Sequence, residues 1–377
     1  MPSLDAYRLS FSGGLHLGTR GLNLEEAGVH LPSDTLFAAL VDAWRELGGN
    51  ATAYGERYRQ APPYVLTSAF PFAGHVRFFP MPADLSRLFG ERTLANDGKR
   101  IKRIRYLSET LFRLAFDGRR LDDYLFPAED YVEPKAGIAL QEGALWLAAD
   151  EVSDLPQMWQ SSRSSVRGLR YRQVWASARV PRVTVSRVES ASNIFYAGRV
   201  RFAPECGLWF GVQWLDPDAS VNAGGATFAE ALREQLAVLQ HAGLGGERAA
   251  GYGAFTCAGP DSLALPDPAP NRPGWLLSRY HPREDELPDA LTGEGAAYTL
   301  ASVAGWLRSP QSAAQRRKRI YLVNEGSIVC PPGFPAGDVA DVRPTHENPD
   351  GDVSHPVYRC GLAVIAGISA RQEAAHG

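Results

Sequence analysis

Two amphipathic stripes, far apart in the chain and each flanked by strand-like sequence, limit the possible fold more than any other feature. From Ser33 onward, Leu36, Phe37, Leu40, Val41, Trp44 and Leu47 recur at helical spacing, and after Thr227 so do Phe228, Leu232, Leu236 and Leu239. Ser33 reads as the N-cap of the first helix, with Asp34 in its first turn and Gly48-Gly49 as its stop. Ahead of it, LDAYRLSF (4–11) alternates polar and apolar residues as a half-buried strand does. Residues 64–79 read as two short strands split at Ala73-Gly74. The stretch 80–142 reads as loop-rich, with one helix from Ser108 to Phe116. PRVTVSRV, NIFYAGRVRF and GLWFGVQWL follow as strands, the last two reading as a hairpin joined through Ala203–Cys206.

Strand, helix, strands, helix, strand is the order of a split β-α-β, ferredoxin-like unit. A chain of 377 residues, 45% of them hydrophobic, exceeds the usual size of one core. After the proline-rich LPDPAPNRPG (265–274) come WLLSRYHP, YTLASVAGWL, KRIYLVNEGSIV and YRCGLAVIAG, which read as the strands of a degenerate second copy. The expected fold is α+β: two ferredoxin-like (RRM-like) domains with long insertions and a glycine-rich loop, divided as 1–264 and 275–377.

Net charge is −3, which argues against a uniformly basic nucleic-acid binder, yet the charge is segregated. Residues 161–201 hold nine arginines and one acid, Glu189; KRIKRIR (99–105) holds five basic residues and no acid; RRKR occupies 316–319. Acid collects in REDELPD (283–289) and around Asp338, Asp341, Glu347, Asp350 and Asp352. Such a division suits a phosphate backbone on one face and protein or solvent on another. RRKR taken alone reads as a solvated face. Lys99, Lys102, Arg103, Arg163 and Arg167 are the basic residues expected to meet RNA.

Four cysteines, Cys206, Cys257, Cys330 and Cys360, show no paired spacing, so neither a zinc knuckle nor a disulfide scaffold is expected. A site assembled from Cys330, His346, His355 and Cys360 lacks any short ligand spacing to anchor it. No metal and no cofactor are expected. The amino-terminal sequence carries no secretory signal, and no apolar run approaches the ~20 residues of a membrane span. A cytoplasmic protein with no membrane partner is the expectation.

The segment GLGGERAAGYGAF (243–255) follows a helix and leads into a strand. A dinucleotide fingerprint needs the reverse order, and a phosphate-binding Walker loop needs a terminal glycine-lysine-serine/threonine that is missing here. The remaining reading is a loop whose glycines let main-chain donors approach phosphates, with Arg248 adding charge. Gly245, Gly246, Gly251, Tyr252 and Gly253 are assigned to RNA contact with it.

That loop, together with SDTLFAAL (33–40), KRIKRIRYLS (99–108), VSRVESASNIF (185–195), EGSIV (325–329) and YRCGLAV (358–364), resembles the RAMP superfamily. Within it the chain is most similar to the Cas five group, as in the fourth Csm subunit of type III-A CRISPR complexes. The motifs run in the family's order from the first helix nearly to the carboxyl end. The resemblance implies a non-catalytic subunit of two ferredoxin-like domains that grips the repeat-derived 5′ tag of the crRNA. It also implies contact with the large Cas ten subunit and an adjacent RAMP backbone subunit, with target RNA nearby. It adds His16, Arg20, Ser33, Arg187 and Asn193 to the RNA-contacting set. Ser186 stands where the family usually has aspartate, so no role is carried over for that acid.

The rival reading is a Cas six-like repeat-processing endoribonuclease, which shares the fold and the glycine loop and uses a histidine near the first helix. His16 and His30 lie there, but no lysine precedes Lys99 to serve as the second proton-transfer group. The type III-B (Cmr) counterpart of the subunit is the other alternative.

Overall fold

Both stripes form helices, and most of the strands between and around them meet in one nine-stranded sheet. The computed structural model describes residues 3–18, 27–129, 131–160, 166–185, 192–221, 225–309, 312–344, 353 and 355–368. Strand β1 is Ser3–Phe11, helix α1 Ser33–Glu46, strand β2 Phe70–Ala73, strand β3 Cys206–Trp214, helix α2 Phe228–Ala242 and strand β4 Phe255–Ala264. All pairings among these four strands are antiparallel, in the order β4-β1-β3-β2, and α1 packs on α2. This is the split β-α-β order. Beyond β2 the sheet continues through Val76–Pro80, Tyr106–Ser108, Leu145–Ala148 and Gly137–Leu140, all from the insertion between β2 and β3.

Three sequence expectations are corrected. GLWFGVQWL does not form a hairpin with NIFYAGRVRF: β3 pairs with β1 and β2, while Ser192–Phe202 pairs with Trp175–Val185 along its whole length. The reason is burial, because residues 206–212 are buried without interruption, as a central strand covered on both faces must be. Ser192–Phe202, by contrast, includes the exposed Ile194 and Tyr196. The second correction is the cap of α1, which is Pro32. Ser33 lies inside the first turn, its amide donating to Ser68 Oγ at 2.8 Å and its own Oγ accepting from the Arg279 amide at 2.9 Å. Thr227 does cap α2, with Glu230 returning a bond to its amide at 2.9 Å. Third, Glu91–Ile101 is helical, within a stretch expected to be loop; Asn96, Asp97 and Gly98 weaken its helical signal.

Residues 275–368 do not repeat the first unit. Gly274–Leu276 pairs with Ile328–Val329 and Ile365–Gly367, and the other strands form separate two-stranded pairs. Among the described residues there, the α-helix is the four-residue Asp289–Thr292, so the two long helices of a second copy are missing. The strands of this segment in part share the main core, through Trp275, Leu277 and Ile328, and in part close a smaller cluster of their own around Leu276, Tyr280, Val323 and Ile365. Phe79 stacks on Phe112 at 4.1 Å, and Phe112 meets Trp275 edge-on at 4.8 Å. No helix among the described residues is long and apolar enough to cross a membrane.

A buried polar seam joins the two parts. Glu325 accepts a bond from Ser68 Oγ, lies 3.2 Å from His30 Nε2, and has Arg279 Nε at 3.1 Å as an ion contact without hydrogen-bond alignment. Burial by itself raises a carboxyl pKa, but His30, Arg279 and Ser68 outweigh it and bring Glu325 down to about 2. Asp34 and Arg359 form a second buried pair across the same seam.

Candidate nucleic-acid interface

The glycine loop is folded by its own close approaches. A Cβ on Gly245 would sit 2.3 Å from the His16 carbonyl oxygen, and one on Gly253 would sit 2.0 Å from that of Leu244; both residues also have positive φ. The Gly246 amide donates to His16 O and the Gly253 amide to Gly14 O, each at 2.8 Å. The assigned residues therefore divide. Tyr252 and Gly253 are buried anchors, whereas Gly245, Gly246, Arg248 and Gly251 face solvent. Gly251 has φ +79° and open space where a side chain would go.

His16 is a pillar under this loop, only 5% exposed. Its Nδ1 bonds the Gly198 carbonyl at 2.7 Å, which fixes the proton on Nδ1, and its ring lies where a Gly246 side chain would be. Gly198 belongs to the hairpin of Trp175–Val185 and Ser192–Phe202, and the same root is held elsewhere. Leu15 and Val200 exchange both backbone bonds at 2.8 Å, and Phe11 stacks on Phe202 at 5.5 Å. The Arg182 guanidinium lies 5.2 Å from the centre of the Tyr252 ring, and the Arg199 stem fills the space beside Gly14. The Nε atoms of Arg182 and Arg199 are buried and have no hydrogen-bond partner among the described residues. Arg182 and Arg199 thus stand at the hairpin root beside the loop that carries Arg248 and the exposed Gly245, Gly246 and Gly251. Outward from this root, Val183, Ile194 and Tyr196 are exposed.

The other side of the hairpin root carries the second basic group. Gln141 Oε1 accepts from the Val174 amide at 2.8 Å, and its Nε2 donates to Trp175 O at 2.9 Å. Beside it, Lys99, Arg100, Arg103 and Arg170 line a cavity of about 190 Å³ with Phe126 and Glu142. Lys99, Lys102 and Arg103 are exposed at the end of the helix Glu91–Ile101. Arg100 pairs with Asp97 at 2.9 Å, and Arg167 pairs with Glu133 at 2.8 Å, so part of this charge is balanced within the chain. Basic cavity, hairpin root and glycine loop thus follow one another.

Ser33 stands apart from them. It is 3% exposed and its polar atoms are engaged in the seam. Arg20, Arg163 and Arg187 lie outside the described residues, and of Asn193 the structure gives only its strand pairing with Thr184. Arg182, Arg199 and Gly14 were not singled out from sequence. The arginine density of 161–201 covered the first two, but which of nine arginines turn toward the glycine loop depends on strand register.

With the geometry in view, residues 272–368 match the family model described as the CRISPR Csm4 C-terminal domain. No curated protein matches the chain in sequence. A chain in the crystal structure of a Csm3-Csm4 subcomplex of the type III-A CRISPR-Cas interference complex matches at a TM-score of 0.64 and 14% identity, covering 98% of this chain and 100% of that one. Chains in crystal structures of a Csm1-Csm4 cassette match at TM-scores of 0.52 and 18% identity, over 98% of both chains, one in complex with pppApA and one with cA4. At such identities the structural matches establish shared fold. Residues 272–368 are thus similar to the CRISPR Csm4 C-terminal domain family, and the chain shares its fold over nearly its whole length with chains of these Csm subcomplexes.

Proposed function

We propose that this protein is a non-catalytic subunit of a type III-A CRISPR complex and holds the repeat-derived 5′ tag of the crRNA in the cradle formed by the glycine loop and the root of the arginine hairpin. The observation that carries this reading is the convergence of exposed glycine backbone and Arg248 with Arg182 and Arg199, which the hairpin root brings against Tyr252 and Gly14. Single-stranded RNA is gripped by such a combination, in which backbone donors and guanidiniums meet phosphates and nearby aromatic rings meet bases. The hairpin, with Tyr196, Ile194 and Val183 outward, extends the cradle toward a guide–target duplex. The fold matches to chains solved with Csm3 and Csm1 support partners of the same kinds: an adjacent RAMP backbone subunit and a large Cas ten subunit.

Two observations weigh against a processing enzyme. His16 is buried with Nδ1 bonded, and His30 faces Glu325 in the seam. A general acid or base must reach the reacting 2′-hydroxyl or leaving oxygen, and the burial of His16 and the pairing of His30 with Glu325 count against that role. The test is co-purification followed by an RNA assay. Tagged protein should bring down a large Cas ten subunit and a guide RNA, and the isolated chain should leave repeat RNA uncut in chelator. Specific cleavage that disappears in His16→Ala or His30→Ala would overturn the proposal.

A further inference from the structure

A second hairpin, unused by that reading, projects from the C-terminal part. Leu300–Val303 pairs with Ile320–Val323, and Trp306–Ser309 pairs with Ser312–Arg316. Val303 faces Ile320 and Trp306 faces Arg316, so Ala304 and Gly305 oppose the three residues Arg317, Lys318 and Arg319. The extra residue is a bulge that splays the basic run. Strand alternation puts Leu300, Ser302 and Trp306 on one face and Val303 and Leu307 on the other. Burial agrees: Leu307 packs with Val342, Val353 and Val357, whereas Trp306 is 49% exposed and Tyr321 57%. Tyr321 is the register partner of Ser302 and so shares the outward face, about 13 Å along the ribbon from Trp306.

Arg316, Lys318 and Arg319 are exposed, and among the described residues no carboxylate lies within ion-pair distance of them. The Arg316 guanidinium sits 5.1 Å from the centre of the Trp306 ring, while nearby arginines are neutralised, Arg283 by Glu286 and Arg343 by Asp341. Flat exposed rings spaced along one face and flanked by unpaired cations are the elements of a stacking platform for single strands.

We propose that this hairpin is a second single-stranded RNA contact, separate from the glycine-loop cradle, in which bases stack on Trp306 and Tyr321 and phosphates pair with Arg316, Lys318 and Arg319. It goes beyond the guide-tag reading and does not depend on it. The test titrates the full chain with fluorescent oligouridine RNA at several salt concentrations. Joint Trp306→Ala and Tyr321→Ala should weaken binding about tenfold or more, while Trp306→Phe with Tyr321→Phe should preserve most of it. Replacing Arg316, Lys318 and Arg319 by glutamine should lower the log–log salt slope by about two, at ~0.7 for each single-strand phosphate contact. A parallel variant with Arg182→Gln and Arg199→Gln keeps the two sites distinguishable. A slope lost there and unchanged here overturns the second site alone, and the reverse overturns the cradle alone. Absence of any binding by the wild-type chain also overturns the inference, as does loss of association with a partner subunit while RNA binding is unchanged, which marks a protein contact instead.

Discussion

The hairpin formed by Trp175–Val185 and Ser192–Phe202 is held by its root, where Phe11, Leu15, His16 and Tyr252 grip Phe202, Val200, Gly198 and Arg182, and beyond it Val183, Ile194 and Tyr196 are exposed. The hairpin of residues 300–323 is held along one face, through Leu307 and Ile320, and at its root by Asn324, whose amide bonds Thr299 O at 2.9 Å. The first therefore answers to changes in the glycine loop, the second to changes in the seam beneath Asn324 and Glu325. The difference shows that ribbons of similar composition couple to different parts of the molecule according to where their polar groups are satisfied.

The largest expected effect is at the seam. Glu325→Gln leaves Arg279 buried without its full counter-charge and should cost about 3–5 kcal/mol. It should also raise hydrogen exchange in 300–323 more than in 175–202. Because the folded pKa of Glu325 is depressed to about 2 from its ordinary 4.5, its contribution is complete above about pH 4.5 and is lost as pH falls toward 2. Thermal unfolding across that range should show the wild type losing stability that Glu325→Gln never had. Equal acid sensitivity in both proteins would break the comparison.

Next is His16→Ala, which leaves the Gly198 carbonyl without its ring donor and opens space under Gly246. A loss of about 1–3 kcal/mol is expected. Exchange should rise in 192–202 and 243–253 while 300–323 stays unchanged, and guide RNA should be retained poorly by the purified complex. Uniform loosening of both hairpins would show that the root contacts do not set the coupling.

Much of the first unit was legible in sequence because its signals are periodic. The stripe from Leu36 to Leu47 marked α1, and the stripe from Phe228 to Leu239 marked α2. Strand pairing was not legible. NIFYAGRVRF and GLWFGVQWL look alike as strands, and only the uninterrupted burial of the second, inside a sheet assembled from distant segments, separates them. The role of Ser33 was hidden for a similar reason, since its partners Ser68 and Arg279 lie 35 and 246 residues away. The glycine loop could be located but not divided into inner and outer glycines, because Gly253 and Gly251 differ only in what the fold brings against them.

Gly251 supplies a smaller test. Nothing stands within 4 Å of a side chain there, so Gly251→Ala meets only the left-handed backbone penalty of about 1–2 kcal/mol, and Gly251→Asn less. Both should fold, and both should reduce guide retention. Full guide occupancy in folded Gly251→Asn would remove this glycine from the RNA contact. The smallest change in stability is expected for Arg182→Gln, which loses a cation–π contact of about 0.5–1 kcal/mol with Tyr252 but should lower the salt slope of RNA binding by ~0.7. An unchanged slope would return Arg182 to a packing role.

The most direct measurement is ultraviolet crosslinking of the co-purified complex, followed by identification of the RNA-linked peptides and the guide nucleotides joined to them. The account predicts crosslinks from the first nucleotides of the guide to peptides within 175–202 and 243–255. Guide RNA present in the complex but crosslinked to this chain only outside those two segments would contradict it.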